Sequence, residues 1–408
     1  MPRGEKYKFS TFFTQGQYET QVETLEVLGK NEGATIGVLK EDFDHENRVA
    51  LVPNSIRTIV GYGHTVMVEA GAGNMARYSD NNYASAGAEV VNGKKKILNC
   101  EIIIKSSPLN EDEITQLSGG QIVLTMLPLP LIDKSYLECL KEKRVVAIAM
   151  DYLQNSDGTF PVLRMMGEMA GRIAIQTASE LLSVYGGGRG VLLGGVSGVP
   201  PSKVLILGAG VVGQHAAQTA IGLGASVRVF DNDINKIIRL QDKVGRQLHT
   251  SSINPEYLAY QLTSADVVVS AMHGKSGRAP VLVTEEMVSN MKKGAVIIDV
   301  SIDQGGCIET SHMTTHKNPT FLKHDVIHYC VPNMASKVPR TSSLAISNVI
   351  TPAILRLAAP AKINRLLYGN PGLIRGVYAY DGHITSQYLA KSFELKYTAL
   401  ELLLTSSR

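Results

Sequence analysis

Short apolar runs recur along the chain at the spacing expected of strands buried on both faces, with amphipathic stretches between them. Runs at 34–40, 65–69, 102–105, 122–127 and 145–150 predict five strands separated by helical stretches, the alternation of a parallel α/β unit. An apolar-periodic helix is predicted over 164–184, and GGGRGVLLGGVSGVPP follows at 186–201, a glycine-rich connector suited to a hinge or an interdomain crossing. A second alternation opens with runs at 204–207 and 226–230 and continues at 265–270 and 295–300. Beyond Ser347 the pattern turns helical through 350–357, and 376–404 is too short to form a separate domain. Residues 1–33 read as an added segment, polar at first and helix-compatible over 18–28, suited to packing against the body or a neighbouring subunit. The expected fold class is α/β, with two doubly wound parallel-sheet units.

The second alternation carries the clearest chemical signal, KVLILGAGVVGQHAAQTAIGLGASVRVFD over 203–231. Gly208, Gly210 and Gly213 follow the first strand at G-x-G-x-x-G spacing. Gly208 permits the tight turn, Gly210 lets the backbone approach a pyrophosphate, and Gly213 lets the helix pack close to the strand. Free N–H groups and the positive end of the helix dipole then face the anion. The next strand ends on Asp231, where a carboxylate meets the adenosine ribose hydroxyls and repels a 2′-phosphate, so NAD is favoured over NADP. Lys236 and Arg239 lie near enough to soften that preference, or else form a solvated helix face.

Composition narrows the remaining classes. A hydrophobic content of 44%, a charged content of 19% and a net charge of +3 suggest neither disorder nor nucleic-acid binding. The four cysteines show no metal-ligand spacing and read as reduced thiols, and no metal site is expected. Without a long apolar run or a signal-peptide core, the expected compartment is the cytoplasm, with no membrane partner. The connector at 186–201 is not followed by Gly-Lys-Ser/Thr, which argues against a triphosphate loop.

Candidate reactive groups fall at strand ends, where open α/β sheets place their ligands. Arg48, in a strand-to-helix loop, is placed either to grip a carboxylate with its planar fork or to form an ion pair with Glu46 or Asp44. Lys105 closes a strand before Ser106-Ser107-Pro108. Asp303, beside Gly305-Gly306, is positioned to reach a nicotinamide or a substrate, and Asn333 in CVPNM is a second polar group of this kind.

Together with ENRVALVP, GGRGVLLGGVSGVPPSKVLILGAGVVG, VIIDVSIDQGGCIETSHMTTHKNPTF and HYCVPNM, these features resemble the alanine dehydrogenase family, which includes the NAD-binding component of proton-translocating transhydrogenase. The resemblance covers nearly everything after residue 33. It implies two Rossmann-like domains with an active-site cleft between them. Residues 34–163 and 345–408 would form the substrate domain, and 164–344 the inserted NAD-binding domain. It also implies a homo-oligomer, dimer or hexamer, and the reversible oxidative deamination of L-alanine by NAD. Arg48 would hold the substrate carboxylate, Asp303 would serve proton transfer and orientation, and Lys105 would join them as the retained lysine of the family's K-x-K-x-P run. The residues expected at the cofactor are Gly208, Gly210, Val211, Val212, Gly213, Asp231, Lys236, Ser270, Ala271, Asp303 and Asn333.

Three positions depart from the family pattern. Its catalytic histidine follows the strand at 122–127, where Pro128-Leu129-Pro130 stands here, and no histidine occurs between His64 and His215. Its second lysine is missing from Lys105-Ser106-Ser107-Pro108, and a serine before the long helix is Gly167. His273 and Asp151 are the candidate substitutes for the lost acid–base group. A dehydrogenase of amino acids with altered proton handling, a non-catalytic NAD(H) sensor and a transhydrogenase-like hydride exchanger are all compatible with this pattern.

Overall fold

The structure, a computed structural model, describes residues 33–43, 45–128, 132–274, 278–359 and 363–406, so the helix-compatible segment at 18–28 lies outside it. Two sheets organise the chain. The first contains β1 (Thr35–Val38), β2 (Thr65–Glu69), β3 (Glu89–Val91), β4 (Ile102–Ile104), β5 (Ile122–Thr125) and β6 (Val146–Ala149). The second contains β7 (Lys203–Leu207), β8 (Ser226–Phe230), β9 (His249–Ser251), β10 (Val267–Ser270), β11 (Val296–Asp299), β12 (Thr320–Lys323) and β13 (Val326–Tyr329). β14 (Val377–Tyr380) and β15 (His383–Ile384) return to the first sheet, giving orders β15-β14-β6-β5-β4-β1-β2-β3 and β12-β13-β11-β10-β7-β8-β9.

Alternate residues of one strand enter different cores, which is why the strands read as unbroken apolar runs. In β7, Val204 and Ile206 face one core while Leu205 and Leu207 face the other. In β4, Ile102 and Ile104 are divided from Ile103 in the same way. Helices therefore cover both faces of each sheet, and the α/β doubly wound class follows. The added strands β12, β14 and β15 pair antiparallel at or near sheet edges. They have only two to four residues each, too few for their periodicity to declare them.

Strand and helix ends shift for local reasons. The run at 122–127 stops as β5 at Thr125, because the Met126 N–H turns to the Ser106 carbonyl at 3.2 Å and the Leu127 N–H turns to Asp151. The long helix, α1 (Pro161–Leu181), starts earlier than its apolar pattern because proline at the first turn presets the helical φ. It ends before Gly186 and Gly188, whose N–H groups return to the Ser183 carbonyl at 3.1 and 2.9 Å.

Two further helices position the site. α2 (Val211–Gly222) is the helix of the glycine turn. α3 (Pro339–Leu357) runs from the second sheet into the first core, where it buries Ile346, Ile350, Ile354 and Leu357. The division expected at 344/345 falls inside this continuous helix. Among the described residues, no helix is long and apolar enough to cross a membrane.

The glycines of the turn separate by what surrounds them. A Cβ on Gly213 would lie 1.8 Å from the Gly208 carbonyl oxygen, and one on Gly208 would lie 2.5 Å from the Ala271 oxygen at a φ of 110°. On α1, a Cβ at Gly171 would meet the Val212 oxygen at 2.3 Å, so this glycine lets α1 press directly on α2. Around Gly210, by contrast, a Cβ would meet nothing within 4 Å among the described residues. The fold requires glycine at 208, 213 and 171 but leaves open space at 210. Gly213→Ala should therefore destabilise the protein by about 1–3 kcal/mol or more, as overpacking does. Gly210→Ala should stay within about 1 kcal/mol of the wild type. Denaturant melts of both variants check this.

Candidate active site

The site is built on the loop after β1. Glu46 is almost fully buried and accepts from Arg48 three times: from the backbone N–H at 2.9 Å, from Nε at 2.8 Å and from NH2 at 2.5 Å. It also accepts from Asn333 Nδ2 at 2.6 Å and from Ser336 Oγ at 3.0 Å, both beyond the second sheet. Burial works against the Glu46 charge, but the Arg48 guanidinium and these donors hold its carboxyl below the usual range. α3 fastens the rest of the loop: Ser343 and Ser347, one turn apart, accept the Val49 and Val52 N–H groups at 2.9 and 3.1 Å. Arg48 is thus ion-paired with Glu46 in this form, and its NH1 points to the Met166 sulfur at 3.2 Å.

Lys105 is buried at the end of β4 and donates to Glu113 Oε2 at 2.8 Å, so its ammonium is engaged in an ion pair. Burial works against the Glu113 charge, while Lys105 and Lys94 together hold this carboxyl low. Beside it, Glu41 fills the loop at Ser106-Ser107, accepting from the Ser106 N–H at 2.5 Å and from the Ser107 hydroxyl at 2.5 Å. Burial and the Glu46 charge push the Glu41 carboxyl up to about 7, against the pull of Lys105.

Across the cleft, Asp303 lies on the short 3-10 turn Val300–Gln304 that follows β11. Asn333, at φ 54°, holds a left-handed conformation that asparagine tolerates. This turns its N–H to Asp303 Oδ1 at 3.1 Å while its side-chain amide reaches Glu46. Asp303 is open to solvent but walled by protein, and that desolvation raises its carboxyl to about 6 against the Asn333 N–H and the Arg48 charge. The structure thus brings Arg48, Asp303 and Asn333 together through Glu46.

The two histidines on this side differ. His273 is exposed and contacts Gln304 at 2.8 Å, its imidazole lowered by desolvation and by Lys236. His316 stands on the turn after Thr314, whose N–H is fixed to the Cys330 carbonyl at 3.0 Å. Its Nε2 is buried and, among the described residues, has no hydrogen-bond partner. Burial lowers this imidazole, and the fields of Glu46, Arg48 and Lys337 all reach it.

The open space at Gly210 lies at the head of α2, whose first turn has no side-chain cap among the described residues, and Val211 there is exposed. Asp231 follows β8, with one oxygen accepting the Ala209 N–H at 2.7 Å and the other the Asp233 N–H at 2.8 Å. Its carboxylate is fixed beside the glycine turn, and these residues fit a dinucleotide. Val212 and Lys236 are half-buried nearby, and Ala271 packs on Gly208. Ser270 is fully buried with its hydroxyl donating to Asp299, so only its backbone is left for a cofactor.

Comparison with known proteins gives this geometry its context. The alanine dehydrogenase/PNT N-terminal domain matches residues 37–170, and the alanine dehydrogenase/PNT C-terminal domain matches residues 174–387. The chain belongs to the alanine dehydrogenase/PNT family. It is 40% identical over 367 residues to alanine dehydrogenase 2 of Staphylococcus aureus strain Mu50, covering 90% of this chain and 98% of the relative. A solved L-alanine dehydrogenase superposes with a TM-score of 0.83 at 36% identity, covering 88% of this chain and 99% of the other. A transhydrogenase from Sinorhizobium meliloti shares the fold, with a TM-score of 0.73 at 23% identity over 86% and 99% of the two chains.

Two groups beside the site were not singled out by motif spacing, Glu41 and His316. Glu46 stood beside Arg48 in ENRVALVP, but its partners Asn333 and Ser336 are 287 and 290 residues away. For the dinucleotide, removing the Asp231 charge should narrow the preference for NAD over NADP. Titration of Asp231→Ala with both oxidised cofactors should show NAD affinity falling by roughly tenfold or more, the loss of a hydrogen bond to a charged group. NADP affinity should change less.

Proposed function

We propose that the protein is an NAD-dependent dehydrogenase of L-alanine or a related amino acid, releasing the 2-oxo acid and ammonia with altered acid–base chemistry. The observation that carries this is the chain of contacts from Arg48 through Glu46 and Asn333 to Asp303, which sets a cation and a proton acceptor across one cleft next to the glycine turn. NAD, when bound, supplies the hydride acceptor. Gly208, Gly210, Gly213, Asp231 and the head of α2 hold it, with Val211, Val212, Lys236, Ala271 and the backbone of Ser270 alongside.

Arg48 draws the substrate carboxylate, and Glu46 sets the plane of its guanidinium. Asp303, ionised above about pH 6, takes a proton from the substrate ammonium so that the nitrogen lone pair is free. Lys105 adds positive charge on the same side, balanced by Glu113 and Glu41. Position 128 is a proline, which offers no side-chain proton.

The test is a screen of amino acids with NAD, and of 2-oxo acids with ammonia and NADH, following NADH absorbance. Coupled change with an amino acid or its oxo acid supports the dehydrogenase; NAD(H) binding without turnover would leave the sensor. Oxidative deamination should fall as pH drops through about 6, because the Asp303 base becomes protonated, and Asp303→Asn should lose that limb and at least about 10²-fold in rate. Arg48→Ala should raise KM and also lower Tm, since Glu46 would remain buried without its cation.

The same proposal includes a homo-oligomer working in the cytoplasm. Tyr185, Leu192, Val196 and Val199 expose apolar surface along the glycine-rich connector, a patch suited to a second copy. Light scattering over a concentration series should give a dimer or hexamer; a monomer throughout would refute this.

A further inference from the structure

β5 and β6 are parallel neighbours, with Thr125 paired to Ala149, so their ends deliver side chains to one edge of the first sheet. Asp151 lies just past β6, on the turn Met150–Tyr152, and is buried. Both carboxylate oxygens approach the Leu127 N–H, at 3.2 and 3.4 Å. Leu127 immediately precedes Pro128, so this acid stands beside the residue that leaves β5 without a titratable side chain. We propose that Asp151 moves the protons of the hydrolytic half-reaction. The proposal rests on the dehydrogenase function argued above.

A purely structural acceptor for one N–H does not require a charge, since an asparagine oxygen would serve equally. As an anion, Asp151 is costly, because among the described residues no cation forms an ion pair with it. The groups that face it are Arg48 from the loop after β1, Tyr152 on its own turn, and Tyr378 from β14, whose hydroxyl meets that of Tyr136 at 2.8 Å. Arg48 is the only charged one of these, and its Nε and NH2 already donate to Glu46. Burial raises the Asp151 carboxyl to about 7, with the Leu127 N–H and Arg48 opposing the rise. An acid so placed exchanges a proton in the neutral range.

After the hydride has left the substrate α-carbon, water adds to the iminium carbon. The C–O bond forms, the C=N π pair moves to nitrogen, and the Asp151 carboxylate takes the water proton. Asp151 returns that proton to nitrogen, making it a leaving group. It then takes the hydroxyl proton as the C–N bond breaks, the C=O forms and ammonia departs, and it releases that proton to water to restore the carboxylate. Asp303 handles the earlier amine proton, and Asp151 handles the oxygen.

The experiment compares steady-state deamination from pH 5 to 9 in the wild type, Asp151→Asn, Asp151→Glu, Pro128→His and the double variant Pro128→His/Asp151→Asn. Asp151→Asn should lower kcat by about 10²–10⁴-fold, the contribution of a general acid–base group, and erase the limb near neutrality. Its Tm and NAD affinity should stay near wild type, because the amide oxygen can still accept from Leu127. Asp151→Glu should keep part of the rate, and the double variant should regain at least tenfold through the restored imidazole. A wild-type rate and pH profile in Asp151→Asn would overturn the proposal and leave the dehydrogenase standing. So would loss of the neutral limb in His316→Gln rather than in Asp151→Asn. Absence of any NADH change in the wild type with amino or oxo acids would overturn both.

Discussion

One buried carboxylate ties the molecule together. Glu46 takes donors from its own loop through Arg48 and from the far side of the cleft through Asn333 and Ser336. A charge this deeply desolvated is tolerable only when paired and fully hydrogen-bonded, so each donor is needed to offset the burial. The same requirement fixes the two sheets relative to each other, because the donors come from elements more than 280 residues apart along the chain. Asn333 adds a second consequence. Its left-handed backbone, needed to aim the amide at Glu46, also aims its N–H at Asp303, so positioning Arg48 and positioning Asp303 are one structural event.

The second sheet is stiffened differently. α1 lies against α2 at a contact that only glycine at position 171 allows, and α2 in turn lies against the turn that only glycine at positions 208 and 213 allows. Backbone is stacked on backbone, leaving little side-chain slack between the connecting helix and the dinucleotide cradle. α3 provides the complementary link on the other side, with its serines satisfying the loop N–H groups that a tight strand-to-helix connection leaves unpaired. Both contacts thus rely on small residues where close approach is required.

The cleft is rich in carboxyls whose environments differ. Glu46 is held ionised by Arg48, Glu113 by two lysines, while Glu41, Asp151 and Asp303 are raised into the range of about 6 to 7 by desolvation. Groups whose protonation is balanced near neutrality are the ones available for proton transfer, and those with firm cationic partners serve as scaffolding. This sorting follows from packing and ion pairing, since all five are ordinary aspartates and glutamates in the sequence.

The sequence by itself determined the α/β class, the central strands and the family, because strands covered on both faces must be continuously apolar and a dinucleotide turn must have glycine at fixed spacing. Those requirements act over a few residues and leave a local trace. It also marked Arg48, Asp303 and Asn333 as polar groups at strand ends, but it left open whether Arg48 would meet a substrate or Glu46. The tertiary structure decided that Arg48 is paired with Glu46, that Lys105 is paired with Glu113, that the Ser270 hydroxyl is turned to Asp299, that Asp151 is buried against the Leu127 N–H, and that His316 buries its Nε2. Glu46 and Asp151 were already open candidates in the sequence, but the pairing of Lys105, the turn of the Ser270 hydroxyl and the burial of His316 have no local signature. Each depends on which groups folding removes from water together, and the energy of a buried charge is set by its neighbours in space and not by its neighbours in the chain.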